Sequence, residues 1–227
     1  MNYLPLLTAA VAFIFTMFLI RQYVQRRKNH QFLWTIGMLF YGLAALMEFL
    51  MNADLMGANL TIFKVYYILA ASLVGLLGSG VVYFLVRRSV AKYFLAFMVF
   101  LSVCLVVTSL STPLDESILL ESFSGELGEG FRNASHAYPI TVRIFSIIEK
   151  SIGGTILICG AAYSYIRDRK RTYNLLIVLG GLFPMLGGSA LGFLQNPYIF
   201  FEFEVGGIIF LFLGFAFSDR YIREREL

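Results

Sequence analysis

Seven ionisable side chains lie within or directly beside long apolar runs, and any chemistry of this protein would depend on them. They comprise four acids and three bases: Glu48, Glu149, Glu202, Glu204, Lys64, Arg143 and Lys150. Charged groups are costly in hydrocarbon, so in membrane helices they usually face the bundle interior. The near-balance of charge has two interpretations. The groups form ion pairs that fasten helix ends, or they line a polar pocket that binds a charged ligand or an ion.

Spacing along the predicted helices distinguishes the members of this set. Glu202 and Glu204 are two residues apart, about 200° around a helix, so at most one of them points directly into the bundle. Arg143 and Lys150 are seven residues apart and share a face. The residues expected to bind a ligand most directly are Glu48, Glu149, Lys150 and Glu202. Arg143 is suited to hold an anionic group of that ligand.

The sequence lacks the residues that several other kinds of functional site require. The chain has two histidines, His30 and His136, which fall in loops on opposite sides of the predicted membrane. A three-histidine zinc site and bis-histidine haem ligation are therefore excluded. The last apolar run lacks the lysine that retinal attachment needs, and no GxxxxGK[ST] or GxSxG motif is present. The sequence predicts no metal, no cofactor and no catalytic residue.

The composition places these residues in a membrane protein. Apolar residues make up 59% of the 227 residues, charged residues make up 14%, and the mean hydropathy is +0.76. A soluble domain this apolar would lack the polar side chains to cover its surface. Seven continuous apolar runs are long enough to cross a bilayer as helices, at about 3–20, 32–51, 62–86, 93–110, 140–165, 173–194 and 198–218. The predicted fold is a single all-α domain over residues 1–227, a seven-transmembrane helix bundle.

The basic residues predict the orientation of this bundle. Of the 18 Lys and Arg residues, 14 fall in the first, third and fifth loops and in the tail after the last span. Basic loops remain in the cytoplasm, so the amino terminus is predicted outside and the carboxyl terminus inside, in a cell membrane. The net charge of +4 follows this membrane rule and does not indicate nucleic-acid binding. The basic side would favour anionic lipid of the inner leaflet.

The outer loop at 111–139 is the longest connection. Pro113 is followed by LDESILLESF, which predicts a short amphipathic helix on the membrane surface or over the mouth of the bundle. A mobile polar loop is the alternative. The stretch SGELGEG that follows is typical of a turn.

Glycines in the third and fifth spans predict close helix packing. The third span contains Gly75, Gly78 and Gly80, and the fifth contains Gly153, Gly154 and Gly160. Small residues let helix backbones approach one another in lipid, where no hydrophobic force drives association. In the second span, by contrast, Trp34, Tyr41 and Glu48 form a stripe at a spacing of seven, which is more typical of packing than of a ligand site.

The second and third spans resemble a known family. The segment WTIGMLFYGLAALMEFL at 34–50, followed by KVYYILA at 64–70, resembles the seven-transmembrane amino-terminal sensor domains of bacterial histidine kinases. The shared features are an aromatic and small second helix that ends in an acid, and a Tyr-rich third helix. Nine residues follow Ser218, too few for an output domain. The resemblance therefore implies signalling to a separate protein through the basic inner face.

The sequence favours a non-enzymatic sensory or ligand-binding module with an outward-facing polar pocket. A small charged ligand would enter from the outer side, between the second, third, fifth and seventh spans. A small-solute or ion transporter is the first alternative, and an accessory subunit of a larger membrane complex is the second. The expected partners are the lipid bilayer, this ligand, and a cytoplasmic or membrane protein.

Overall fold

The computed structural model describes residues 2–52, 59–124, 134–194 and 197–226, and these ranges are helical without a strand. The helices are α1 (Leu4–Arg26), α2 (Asn29–Asn52), α3 (Leu60–Leu85), α4 (Arg88–Ser111), α5 (Glu116–Ser124), α6 (Ile140–Arg167), α7 (Tyr173–Leu194) and α8 (Pro197–Glu226). A single 3₁₀ turn, Ser135–Ala137, precedes α6.

Six of the helices are long and apolar enough to cross a membrane: α1, α2, α3, α4, α6 and the Tyr198–Ser218 part of α8. In α7, the apolar stretch found among the described residues is shorter, at Tyr173–Gly187. The prediction of an all-α integral membrane protein is confirmed at this level. Six of the seven predicted spans coincide with these helices.

Local sequence accounts for several helix ends. Pro5 lies in the first turn of α1, where its missing N–H costs nothing. Arg27 ends the same helix with a left-handed φ of 48°. The Asn59 side chain caps α3, accepting hydrogen bonds from the backbone N–H groups of Thr61 at 3.0 Å and Ile62 at 3.1 Å.

Contacts between helix ends define two ends of the bundle. Near the start of α3, Lys64 Nζ donates to the carbonyl of Thr112, just past α4, at 3.1 Å. At the start of α2, Trp34 Nε1 donates to the carbonyl of Leu77 in α3 at 3.2 Å. Helix α3 is therefore antiparallel to α2 and α4.

The contacts of Tyr23 with Phe32 and of Ser164 with Asn174 place the ends of α1 and α6 beside the starts of α2 and α7. We call the end where α2 and α4 finish the loop end, and the end where α1, α3 and α6 finish the basic end.

Helix α3 packs against α2, α4 and α6, and α7 packs closely on α8. The contact between α3 and α6 is a backbone contact, because a Cβ on Gly78 would lie 2.6 Å from the Gly153 carbonyl oxygen. Between α7 and α8, a Cβ on Gly207 would lie 2.8 Å from Cδ of Pro184. Gly78 of α3 and Gly153 of α6 serve the packing role that the sequence predicted.

The predicted amphipathic helix in the outer loop is present as α5. Its Leu119 is 1% exposed and joins Met51, Phe63 and Tyr138 in an apolar cluster at the loop end. Most of the predicted SGELGEG turn lies outside the described residues. Helix α5 therefore covers the loop end of the bundle.

Candidate functional site

Two of the predicted acids come together in the bundle interior. Glu48 lies in the last turns of α2, and Glu204 lies in the second turn of α8. Their side chains are 1% and 8% exposed, and the two carboxyl groups lie close enough to interact with each other. Two carboxylates in contact would repel each other in an interior of low dielectric constant. We call Glu48 and Glu204 the carboxyl pair.

One oxygen of each carboxyl group in the pair lacks a hydrogen-bond donor among the described residues. These atoms are Glu48 Oε1 and Glu204 Oε2, and both are buried. No cationic nitrogen of the described residues lies within 4 Å of either acid. Tyr41 and Tyr66 interact electrostatically with both carboxyl groups. The site thus concentrates oxygen atoms, which suits a proton or a small cation.

The position of Glu48 follows from the stripe on α2. Tyr41 is 7% exposed and Trp34 is half-buried, so the stripe that ends in Glu48 faces the interior. Trp34 also contacts Phe215 of α8 edge-on, with ring centroids 4.6 Å apart. The stripe is a packing surface along most of its length, as its spacing indicated, and it ends in an acid.

On α8, the structure buries one acid of the predicted two. Glu204 is buried and Glu202 is exposed. This agrees with the helical geometry, which allowed only one of them to point inward. The structure brings Glu204, not Glu202, to Glu48, so the choice of Glu202 as a direct ligand residue is not supported by its position.

Glu149 forms a separate buried site between α3, α4 and α6. It is 0% exposed, and its Oε1 accepts a hydrogen bond from Ser102 Oγ of α4 at 2.5 Å. A Cβ on Gly75 of α3 would lie 2.7 Å from that oxygen, so glycine makes room for the acid. Ser102 lies nine residues before Ser111, the last residue of α4. At 1.5 Å a residue, this places Ser102 and the Glu149 carboxyl group about 14 Å from the end of that helix. Glu149 therefore lies well inside the bundle and not at its edge.

The three predicted cations stand apart from the carboxyl pair. Lys64 donates to the carbonyl of Thr112 at the end of α4, as described above. The exposed Lys150 places Nζ 5.4 Å from the centre of the Tyr67 ring, a cation–π contact. Arg143 is half-buried in the first turn of α6. None of the seven predicted residues forms an ion pair within 4 Å in the described ranges, so direct pairing does not explain the cluster.

Sequence reasoning missed a set of neutral polar residues at the basic end. Gln22, Gln31, Ser164 and Asn174 are each at most 6% exposed, and all four line one cavity there. Amides and hydroxyls carry no charge, so they do not stand out in an apolar run as Asp, Glu, Lys and Arg do. The available signal was the presence of amides within the first or last turns of apolar helices.

The fold and the buried acids define a multi-pass α-helical membrane protein with acidic groups in its interior. Among the described residues, no three His, Cys, Asp or Glu side chains come together as metal ligands. No known protein family, curated protein or solved structure matches the chain.

Proposed function

We propose that the chain is a seven-span membrane protein that binds a proton or a small cation at the carboxyl pair and acts as a sensory or ligand-binding module. In this proposal α7 is the seventh span, the amino terminus is outside, and the loop end faces outward. The observation that carries the proposal is the burial of Glu48 of α2 beside Glu204 of α8, each with a carboxyl oxygen that lacks a hydrogen-bond donor among the described residues.

Energetics support a binding role for this contact. Two acids in a membrane interior are expensive, and two negative charges in contact repel strongly where the dielectric constant is low. Without a shared proton or a bound cation, the repulsion would drive α2 and α8 apart at the loop end. The occupancy of the site therefore controls the relation between these two helices, which is the two-state element that a sensor needs.

The distribution of buried polar groups favours a sensor over a transporter. The buried acids Glu48, Glu149 and Glu204 all lie nearer the loop end, whereas the buried polar groups at the basic end are neutral. Ion-coupled transport needs a site that opens to both sides. A proton or cation reaching the carboxyl pair from the loop end would change helix contacts without a path across the bundle.

The packing of the glycines weighs against an accessory subunit. That alternative expects the glycine-rich helix faces to be covered by other chains. Gly78 instead packs on Gly153, and Gly180 packs on Leu211, so these faces are used within the chain.

The test uses Trp34, the single tryptophan of the protein, whose contact with Phe215 reports whether a change at the carboxyl pair alters the relation of α2 to α8 at the basic end. We expect Trp34 fluorescence of the purified protein to change with pH or when sodium replaces choline. Glu48→Gln and Glu204→Gln keep the side-chain shape and remove the acid, and each should abolish the response. Glu202→Gln makes the same chemical change at an exposed position of α8 and should keep it.

A wild-type signal that stays constant across pH and cations, or an equal response in all three variants, would contradict the proposal. Flux measurements in liposomes address the transporter alternative. We expect no cation flux through the wild type. A flux that Glu48→Gln abolishes and Glu202→Gln preserves would instead establish a transporter.

A further inference from the structure

A cavity of about 90 Å³ lies at the basic end, far from the carboxyl pair. Its polar lining includes Gln22 of α1, Gln31 of α2, Ser164 of α6 and Asn174 of α7, with His30 and Ser218 also in the wall. The first four of these side chains are 3–6% exposed, so their polar groups lie inside the bundle and not on its surface. The space admits a group about the size of glycerol.

One polar atom of this lining lacks a partner. Asn174 Nδ2 donates to Ser164 Oγ at 3.1 Å, which satisfies that pair. Gln31 Oε1 is buried and has no hydrogen-bond donor among the described residues. A buried acceptor without a donor is costly. An incoming group with a hydroxyl would supply the missing hydrogen bond.

The charged residues among the described lining of the cavity are basic. Arg26 and Lys28 are among the lining residues, and no carboxylate is among the described residues that line it. The remaining wall includes the rings of Trp34, Phe84 and Phe215. The cavity thus combines a neutral hydrogen-bonding interior, cations and an apolar wall.

We propose that this cavity binds a phosphate ester that carries a free hydroxyl, the chemistry of a glycerophosphate. The hydroxyl enters the interior and meets Gln31, and the phosphate lies against Arg26 and Lys28. The same group occurs as the headgroup of phosphatidylglycerol and as free glycerol 3-phosphate. The inference is independent of the carboxyl pair, because it uses different residues at the opposite end of the bundle.

The test measures binding to the purified full chain in detergent. Native mass spectrometry reports retention of dioleoyl phosphatidylglycerol, dioleoyl phosphatidic acid and dioleoyl phosphatidylcholine, and calorimetry reports binding of glycerol 3-phosphate. We expect phosphatidylglycerol to bind more tightly than phosphatidic acid, which lacks the hydroxyls, and than phosphatidylcholine, which lacks both hydroxyls and net charge. Binding of glycerol 3-phosphate alone would identify the soluble molecule as the source of the group.

Two variants with matched controls assign the binding to the cavity. Gln31→Leu should weaken it about tenfold, the value of one hydrogen bond. Gln25→Leu makes the same change on the exposed side of α1, outside the cavity lining, and should leave binding unchanged. Lys28→Gln leaves the interior of the cavity intact and should weaken binding. Lys92→Gln, at an exposed position of α4 outside the cavity lining, should not.

Equal retention of phosphatidic acid and phosphatidylglycerol would overturn the role of the hydroxyl. Equal binding by Gln31→Leu and Gln25→Leu, or by Lys28→Gln and Lys92→Gln, would overturn the site. Failure of the carboxyl-pair test would leave these outcomes unaffected.

Discussion

Tyr138 links the outer loop to the helix bundle through its hydroxyl. The side chain is 1% exposed, its hydroxyl is hydrogen-bonded to Ser109 of α4, and its ring stacks on Phe63 of α3 with centroids 6.1 Å apart. Burial raises the pKa of Tyr138 from 10.0 to about 12, although the hydrogen bond with Ser109 opposes the shift. The neutral phenol is therefore the form that the folded protein favours.

The shift in the pKa of Tyr138 predicts an alkaline loss of stability. A group whose pKa is higher in the folded state contributes its stability fully below the unfolded value of about 10 and loses it as pH rises through about 12. Tyr138→Phe should lower the free energy of unfolding by about 1 kcal/mol at neutral pH. Its unfolding should also depend less on pH between 10 and 12 than that of the wild type.

Thermal unfolding in detergent from pH 8 to pH 12 measures both effects. Tyr93→Phe is the control, since Tyr93 is 80% exposed on α4 and should behave as the wild type. Identical pH profiles for Tyr138→Phe and the wild type would show that Tyr138 does not titrate in this window.

At the scale of helices, α3 and α6 depend on backbone contact. A Cβ on Gly153 would lie 2.5 Å from the carbonyl oxygen of Val74, an atom that cannot move without shifting the helix. A Cβ on the adjacent Gly154 would meet its nearest atom, Val74 Cγ1, at 3.7 Å, which is ordinary contact. Neighbouring glycines in α6 therefore have different roles.

Alanine substitution should separate those roles. Gly153→Ala should destabilise the protein by about 1–3 kcal/mol, because the helices must move apart. Gly154→Ala should be neutral or slightly stabilising, since alanine favours the helix over glycine. Unfolding by increasing SDS in mixed micelles gives the comparison. Equal stability of the two variants would refute the close contact of α3 with α6.

The same contact bears on Glu149. Because Gly75 leaves space for this acid, the approach of α3 to α6 also fixes the position of the Glu149 carboxyl group against Ser102 of α4. Three helices thus meet at one buried acid. The missing Cβ of Gly75 therefore links the packing of α3 against α6 to the position of the Glu149 side chain.

At the scale of the whole molecule, the charge distribution predicts the orientation in the membrane. We expect Glu116→Cys in α5 to react with a membrane-impermeant maleimide on intact bacterial cells that express the protein. Ser89→Cys at the start of α4 should react only after the cells are permeabilised. Both residues are exposed, and Cys104 and Cys159 are first replaced by alanine. The reverse labelling pattern would invert the proposed topology.

The sequence by itself determined the helical, membrane-embedded character of the protein. Run length and hydropathy are local properties, so the six apolar helices, α5 and the packing glycines could all be predicted. The same local reasoning identified Glu48, Glu149 and Glu204 as costly residues within or beside spans, and it limited the inward-facing acid of α8 to one of two.

Only the tertiary structure decided which groups meet. The contact of Glu48 with Glu204 depends on the order of helices around the bundle and on the rotation of each helix, and neither is encoded in a local pattern. Charge balance was compatible with pairing of the acids with Lys64, Arg143 and Lys150, but Lys64 donates to a backbone carbonyl and Lys150 lies over the Tyr67 ring. The cavity at the basic end could not be predicted for the same reason, because four separate helices bring its amides and hydroxyl together.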